Sequence, residues 1–394
     1  MRLMHLADLH LGFRQFQRST PAGLNQREAD VAQSFVRAID ITIEREPGLV
    51  VVAGDVFHTV RPSNPAILQA TAQLLRLRRA LPDAIVVVIG GNHDTPRSAE
   101  AGCLLGLFSS IGVHVADVSA HRFDFADRDL SVLAVPETVS ESPSFAPNES
   151  ARWNVLLAHL AVTNVCPVGH NGLSASVEDL APERWSYVAL GHYHVYYDLA
   201  PNASYAGSID YTSTNVWGEL AEQATRGIPG KGIVEFDLET GARTFHAISA
   251  ARRVVDLPFI DAQSMSPAEL DASIATNVAS VDGGIRGAVV RQVVSNVTRE
   301  LTRDMNHRAV RALKAEALHY QLDTRKSDAM GARVERNRLP SLEEMLRTRL
   351  EARILASDIP RERLIDLGMN YLAAASELGD RPTTTDVEAS DAAA

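Results

Sequence analysis

Cysteine is nearly absent: the 394 residues hold two, Cys103 and Cys166, and no CxxC. That excludes a disulfide framework and a thiolate zinc site, and it fits a reducing cytosol. Also missing is any apolar run approaching the roughly 20 residues of a membrane span. The N-terminus, MRLMHLADLH, meets Asp8 too early to hold the apolar core of a signal peptide. Basic residues are outnumbered, 38 Lys+Arg against 49 Asp+Glu, for a formal net charge of -11. Proteins that coat nucleic acid through bulk electrostatics are usually basic, so that class is disfavoured. Bound divalent cations, or a basic partner, would change the local field without changing this total. Internal repeats are lacking too. What is present is the composition of an ordinary globular chain, 45% hydrophobic and 22% charged. It is long enough for two or three domains of roughly 100–200 residues each.

The first ninety residues alternate in pattern. Leu3–Ala7 reads as a short strand, and Gln26–Glu44 as a helix with Val31, Phe35, Ala38 and Ile39 on one face. Leu49–Ala53 (LVVVA) reads as a buried strand, Pro65–Ala80 as a helix and Ala84–Ile89 as a third strand. This alternation predicts an α/β fold with right-handed crossovers. Short strands separated by turns follow at Asp129–Val135, Asn154–Ala158, Tyr187–Leu190, Ser204–Ala206, Gly232–Asp237 and Ala242–Ala247. Arg252–Asp261 and Ala288–Val297 read as strands, Pro267–Val281 as a helix, and Arg299–Thr324 as one long helical stretch. A polar stretch at Lys326–Arg338 leads to Ser341-Leu-Glu-Glu344, a capping box that opens a helical segment reaching about Leu378, broken near Pro360. The last fifteen residues are polar and expected to be disordered.

Five pieces carry chemistry: Asp8-Leu-His10, Gly54-Asp55, Gly91-Asn92-His93-Asp94, His159, and Gly191-His192-Tyr193-His194. The first three follow predicted strands directly, and His159 ends another. Ligand sites of α/β sheets form outside the carboxyl ends of strands, so these side chains can meet in one place. Carboxylate, imidazole and amide oxygen without thiolate form a mixed set that suits Mn, Fe, Zn or Mg-like ions. Two such ions about 3.5–4 Å apart can clamp a phosphate and supply a nucleophile at neutral pH. Asp55 is the natural bridge, having two oxygens. Glycines Gly54, Gly91 and Gly191 precede ligands where the chain must turn tightly. A lone strand-end Asp or buried His is more often structural than ligating; the coincidence of all these pieces is what points to a metal site.

In this order the motifs resemble the calcineurin-like metallophosphoesterase superfamily. DLHLG with a following QREAD (Gln26–Asp30), GDVFHTVRPS (Gly54–Ser63) and YAGSID (Tyr205–Asp210) are similar, more narrowly, to the SbcD/Mre-type double-strand-break repair nucleases over roughly residues 1–250. The resemblance implies a two-sheet β core flanked by helices at 1–250, a small α/β cap at 251–330, a C-terminal helical partner-binding segment at 331–379 and a tail at 380–394. It implies two divalent cations, manganese by family. Asp8, His10, Asp55 and His194 would hold the first; Asp55, Asn92, His159 and His192 the second. His93 would protonate the leaving oxygen and His58 would contact or orient the phosphate. Arg61 would touch substrate. Implied partners are DNA, a second copy of the chain, and an SMC-like ATPase of the SbcC or Rad-fifty type. The residues after Ser208 (IDYTSTNVWGEL) match only loosely.

His114, His121, His170, His246, His307 and His319 lie outside the motifs and read as ordinary surface or core histidines, and His5 as a core residue or one that supports a ligand of the site from behind. The basic residues of Arg299–Arg338 read as a solvated helical face, with contact to phosphate as the alternative. Leu342, Met345, Leu346, Leu350 and Ile354 form an apolar helical stripe, which either packs on the core or, as the resemblance implies, docks on the ATPase. Three functional classes follow: a DNA nuclease, a small-molecule phosphoesterase acting on cyclic nucleotides or phosphomonoesters, and a non-catalytic scaffold. The acidic charge favours the second; the QREAD and FHTVRPS segments and the extra domain favour the first. A scaffold would show degenerate ligand positions, and none of the motif residues is replaced.

Overall fold

A computed structural model describes residues 1–96, 102–137, 144–166, 172–326, 342–351 and 360–379. Contacts divide the chain into two units, Met1–Lys326 and Ser327–Ala394. The first unit begins β1 (Arg2–Leu6), α1 (Gln26–Arg45), β2 (Leu49–Ala53), α2 (Asn64–Ala80), β3 (Ile85–Ile89) and β4 (His114–Ala116). Each crossover helix is capped where the sequence offers a short polar side chain. Asn25 accepts from the Arg27 and Glu28 N–H groups, and Ser63 from Ala66 N–H. There follow β5 (His121–Phe125), β6 (Leu130–Val135), β7 (Trp153–His159), β8 (Ala161–Val162), β9 (Ser174–Ala175), α3 (Val177–Leu180), β10 (Tyr187–Gly191), β11 (Tyr197–Ala200), β12 (Ala203–Tyr205), α4 (Val216–Arg226), β13 (Gly232–Asp237) and β14 (Arg243–Ala247).

These strands make two six-stranded sheets, ordered β14-β13-β1-β2-β3-β4 and β11-β12-β10-β7-β6-β5. Side chains alternate across each strand, which sorts the core into layers. Leu3, Val51 and Val87 from the first sheet meet Val132, Val155 and Ala189 from the second in one core between the sheets. The intervening residues, Met4, Val50, Val86 and Val88, pack outward with Val31, Phe35 and Leu74 of α1 and α2. The outer face of the second sheet packs Leu156, Val188 and Leu190 on Leu180 and Trp185. The result is an α/β fold with a two-sheet core flanked by helices. His5 lies in the inter-sheet layer, fully buried, and its Nδ1 sits 3.1 Å from Tyr187 Oη.

A third sheet is entirely parallel: β15 (Val254–Asp256) and β16 (Ile260–Asp261) pair one after the other with β17 (Val289–Val297), whose other edge takes β18 (His319–Lys326). The helices α5 (Pro267–Ala279), α6 (Arg299–Asp304) and α7 (His307–Glu316) accompany it. The single strand expected over Arg252–Asp261 is split, with Pro258 unable to donate between the two pieces. The single helix expected over Arg299–Thr324 is wrong. Thr298 and Asn306 each cap a separate short helix, and from His319 the chain runs as strand. Intrinsic helix preference loses there because the long apolar β17 needs a partner along its open edge.

In the second unit, α8 (Leu342–Glu351) and α9 (Arg361–Gly379) pack together, with Leu346 and Leu350 facing Leu364, Leu367 and Tyr371 across an apolar groove. The capping residue Ser341, the polar stretch at 327–341, Ile354, His170 and the tail at 380–394 lie outside the described residues. Among the described residues no helix is long and apolar enough to cross a membrane.

Candidate metal centre

The carboxyl ends of β1, β2, β3 and β10 open on one cleft of about 480 Å³, whose lining includes His10, Asp55, Asn92, His192 and His194, while His159 at the end of β7 is buried. The loops leaving β1 and β2 are zipped together. Asp8 N–H donates to the Gly54 carbonyl (3.2 Å), His10 N–H to the Asp55 carbonyl (2.8 Å) and His58 N–H to the Leu11 carbonyl (3.0 Å). Asp94 staples the third loop to the second, its buried carboxylate accepting from Val56 N–H (2.9 Å), Phe57 N–H (2.7 Å) and Gly91 N–H (3.2 Å). Burial, with the charge of Asp55 adding to it, still pushes the Asp94 carboxyl up to about 8.

Backbone strain concentrates here. Asp8, His10, Asp55 and His192 are all held at positive φ, at 50°, 47°, 49° and 102°. Each such residue costs about 1–3 kcal/mol and persists where surrounding structure enforces it, commonly at functional sites. Packing leaves no slack: a Cβ at Gly91 would fall on the Asp55 carboxylate, and one at Gly54 on the His159 ring.

The side chains converge around Asp55. His10 Nε2 lies 3.5 Å and His159 Nε2 3.7 Å from Asp55 Oδ2. On one side His10 Nε2 faces His194 Nε2 at 3.0 Å, and Asp8, His10 and His194 form one cluster of close donor atoms. On the other, His159 Nε2 faces Asn92 Oδ1 at 3.2 Å. Asp8 accepts from His192 N–H at 3.0 Å and 3.1 Å, tying the first loop to the last. His93 N–H donates to Asp55 Oδ1 (2.9 Å), and the His93 ring donates from Nδ1 to the His58 carbonyl (2.8 Å). The His58 and His93 rings stack at 5.1 Å. Arg61 is exposed and is not among the residues lining the cleft.

Burial sets the charge states. Asp8 is pushed well above the usual carboxylate range by burial and then by the charge of Asp55. Burial holds His10 and His159 below the ordinary imidazole range, and lowers His58 to about 4 with the nearby His93 adding to the effect. Crowded carboxylates beside neutral imidazoles present lone pairs to one another with little countercharge. A pair of divalent cations would satisfy that arrangement, and the O/N donor set without sulfur fits such ions. The residues present therefore fit two metal ions on either side of Asp55.

Three residues that sequence reasoning passed over complete the centre. Glu219 of α4 places Oε1 3.5 Å from His194 Nδ1, an ion-pair distance rather than a short hydrogen bond. Its other oxygen takes the buried Lys231 ammonium at 2.5 Å, which also donates to the His194 carbonyl at 2.7 Å. Glu219 is held at about 2: burial would raise it, but Lys231 and His194 outweigh that. Glu219 lies in the stretch that matched only loosely, and nothing in its spacing marks it. Glu137, beside His159 and His192, does carry a signal: like Asp8 and Asp55, it is an acid just past a buried strand.

The motifs that narrowed the resemblance turn out to brace the centre. Arg27 is buried and pairs with Asp30 (3.2 Å) and Asp210 (2.8 Å), and Arg252 bridges to Asp30 at 2.6 Å.

Comparisons with known proteins agree with this geometry. Residues 1–196 match the calcineurin-like phosphoesterase family. The chain is 30% identical over 254 residues to a DNA double-strand break repair protein Mre11 from Thermoplasma acidophilum, covering 60% of this chain and 62% of that one. It is 29% identical over 231 residues to the protein of the same name from Methanococcus maripaludis, covering 55% and 59%. With that from Archaeoglobus fulgidus it shares 28% over 233 residues, covering 53% and 50%. The chain thus spans less than two thirds of the length of these relatives. The parallel run β1-β2-β3-β4, the strands β5, β6, β7 and β10 of the second sheet, and the strand-end cluster of Asp, Asn and His all lie within the matched span, and through residues 1–196 the chain belongs to the calcineurin-like phosphoesterase family.

Proposed function

We propose that this chain is a manganese-dependent DNA nuclease that hydrolyses phosphodiester bonds at DNA ends, as an exonuclease and endonuclease. The observation that carries the reading is the convergence on Asp55 of imidazoles from both sheets, with His10 Nε2 at 3.5 Å and His159 Nε2 at 3.7 Å. Asp8, His10, Asp55 and His194 would hold one cation, and Asp55, Asn92, His159 and His192 the other. When bound, the cations neutralise charge on the phosphate and generate a nucleophile at neutral pH.

The chain's own groups do the rest. His93 is fixed by two bonds, N–H to Asp55 and ring Nδ1–H to the His58 carbonyl, so its Nε2 is the atom left to act on substrate. Protonated there, it donates to the departing oxygen. His10 Nδ1 lies 3.3 Å from His58 Nδ1. With His10 Nε2 turned to the cation, His10 Nδ1–H donates to His58, and His58 Nε2–H is free to hold a phosphate oxygen. Arg61, three residues further on and exposed, meets the DNA backbone. The apolar groove of α8 and α9, where Leu367 and Tyr371 are exposed, supports docking on an SMC-like ATPase of the SbcC or Rad-fifty type, in a complex built on two copies of this chain. The relatives named for DNA double-strand break repair support the choice of DNA as substrate.

The test is His93→Ala with manganese and linear duplex DNA. Loss of a general acid slows cleavage by a factor on the order of 10²–10⁴, while manganese binding persists. A variant that degrades DNA at the wild-type rate shows the acid to be misassigned. The net charge of -11 favours a second reading, a small-molecule phosphoesterase. Strong turnover of cyclic nucleotides with none of DNA would establish it instead.

A further inference from the structure

Glu137 stands two residues past β6, and its backbone N–H donates to the Gly90 carbonyl (3.3 Å), which anchors it to the loop carrying Asn92. Its side chain is 7% exposed, and Oε2 lies 3.3 Å from His159 Nε2 and 3.5 Å from His192 Nδ1. That oxygen is buried and has no hydrogen-bond partner among the described residues. Gly172 packs against the carboxylate so closely that a Cβ there would fall on Oε1.

An unpartnered buried carboxylate oxygen carries an uncompensated desolvation cost unless something charged answers it. The ring of His159 says what is missing. Its Nδ1 donates to the Ala53 carbonyl at 2.8 Å, so in the neutral ring Nε2 is the lone-pair nitrogen. That nitrogen faces Glu137 Oε2, Asn92 Oδ1 at 3.2 Å and Asp55 Oδ2 at 3.7 Å. Acceptor atoms pointed at one another from four residues repel unless a cation lies among them. Glu137, His159 and His192 form a cluster of ligand atoms distinct from the Asp8, His10 and His194 cluster.

We infer that Glu137 is an additional carboxylate ligand of the second cation, so that this site comprises Asp55, Asn92, Glu137, His159 and His192. The inference rests on the two-cation reading above. Two carboxylates and an amide oxygen shift the site toward hard, oxygen-preferring ions such as manganese and magnesium. They also predict that the second cation is retained strongly.

The test uses the full chain, stripped with chelator and titrated calorimetrically with manganese chloride, with bound metal counted after gel filtration. Wild type should take two cations. Glu137→Gln should keep one at wild-type affinity and bind the other at least about tenfold more weakly, a loss typical of disturbed metal sites. Glu137→Asp, which keeps the charge on a shorter stem, should fall between them and checks that the Gln result is not misfolding. Two cations bound by both variants with unchanged affinity would overturn the inference. A wild type that binds no manganese would overturn the two-cation reading itself, and this inference with it.

Discussion

The buried pair beneath His194 makes a quantitative prediction. Lys231 has a side chain 1% exposed, and its ammonium meets Glu219 at 2.5 Å and the His194 carbonyl at 2.7 Å. Lys231→Met keeps the aliphatic stem and removes the charge, leaving Glu219 buried without a counter-ion. Breaking such a pair from one side costs about 3–5 kcal/mol. The lost bond to the carbonyl is the smaller part, about 1 kcal/mol. The cost must depend on pH. In wild type Glu219 sits at about 2, below its unfolded value of roughly 4.3. Its contribution is therefore present above the unfolded value and lost only as pH falls through about 2. In the variant the largest group opposing burial is gone and only His194 remains, so Glu219 moves upward and can escape by taking a proton as pH falls. The destabilisation is thus largest near pH 8 and shrinks toward pH 5. The assay is urea unfolding followed by tryptophan fluorescence, with chelator present so that metal does not contribute. Glu219→Gln combined with Lys231→Met removes both charges and should recover more than half of the loss. Simple addition of the two single-variant losses, or a Lys231→Met cost that is flat between pH 5 and 8, would refute the reasoning.

Two further predictions concern packing and acid stability. Gly91→Ala places a methyl group on the Asp55 carboxylate; it should destabilise the chain by about 1–3 kcal/mol and abolish binding of both cations, as read by chelator-free thermal unfolding and metal content. His5, lowered to about 3 by burial against an unfolded value of roughly 6.5, is neutral in the folded chain. Its share of stability is complete above the unfolded value and is lost as pH falls toward about 3, at about 1.4 kcal/mol per pH unit. His5→Phe should therefore flatten the fall in stability between pH 6 and 4 by about one proton, measured with chelator present, and parallel curves for the two proteins would contradict it.

The α/β core was legible because local pattern and tertiary environment agree. LVVVA at Leu49–Ala53 and IVVVI at Ile85–Ile89 are apolar throughout, as strands covered on both faces require, and both form the interior of the first sheet. The gathering of Asp8, His10, Asp55, Asn92, His159, His192 and His194 was legible for a related reason: each directly ends or follows such a strand. What was hidden lay where side chains act across long separations. Lys231 and Glu219 serve His194 from elements that carry no motif, and a buried Lys looks like any other lysine in a sequence. The break of 299–324 into two helices and a strand was hidden too, because only the open edge of β17 calls for the strand. Arg27, Asp30 and Asp210 read as markers of resemblance and proved to be a buried ionic brace.

The central claim is that one carboxylate, Asp55, is shared by two cations. Crystals of the full chain grown in manganese and measured at a wavelength where manganese scatters anomalously test it directly. Two peaks about 3.5–4 Å apart, one toward His10 and His194 and the other toward Asn92 and His159, are the predicted result. One peak alone, or two that do not both lie within bonding reach of Asp55, would contradict it.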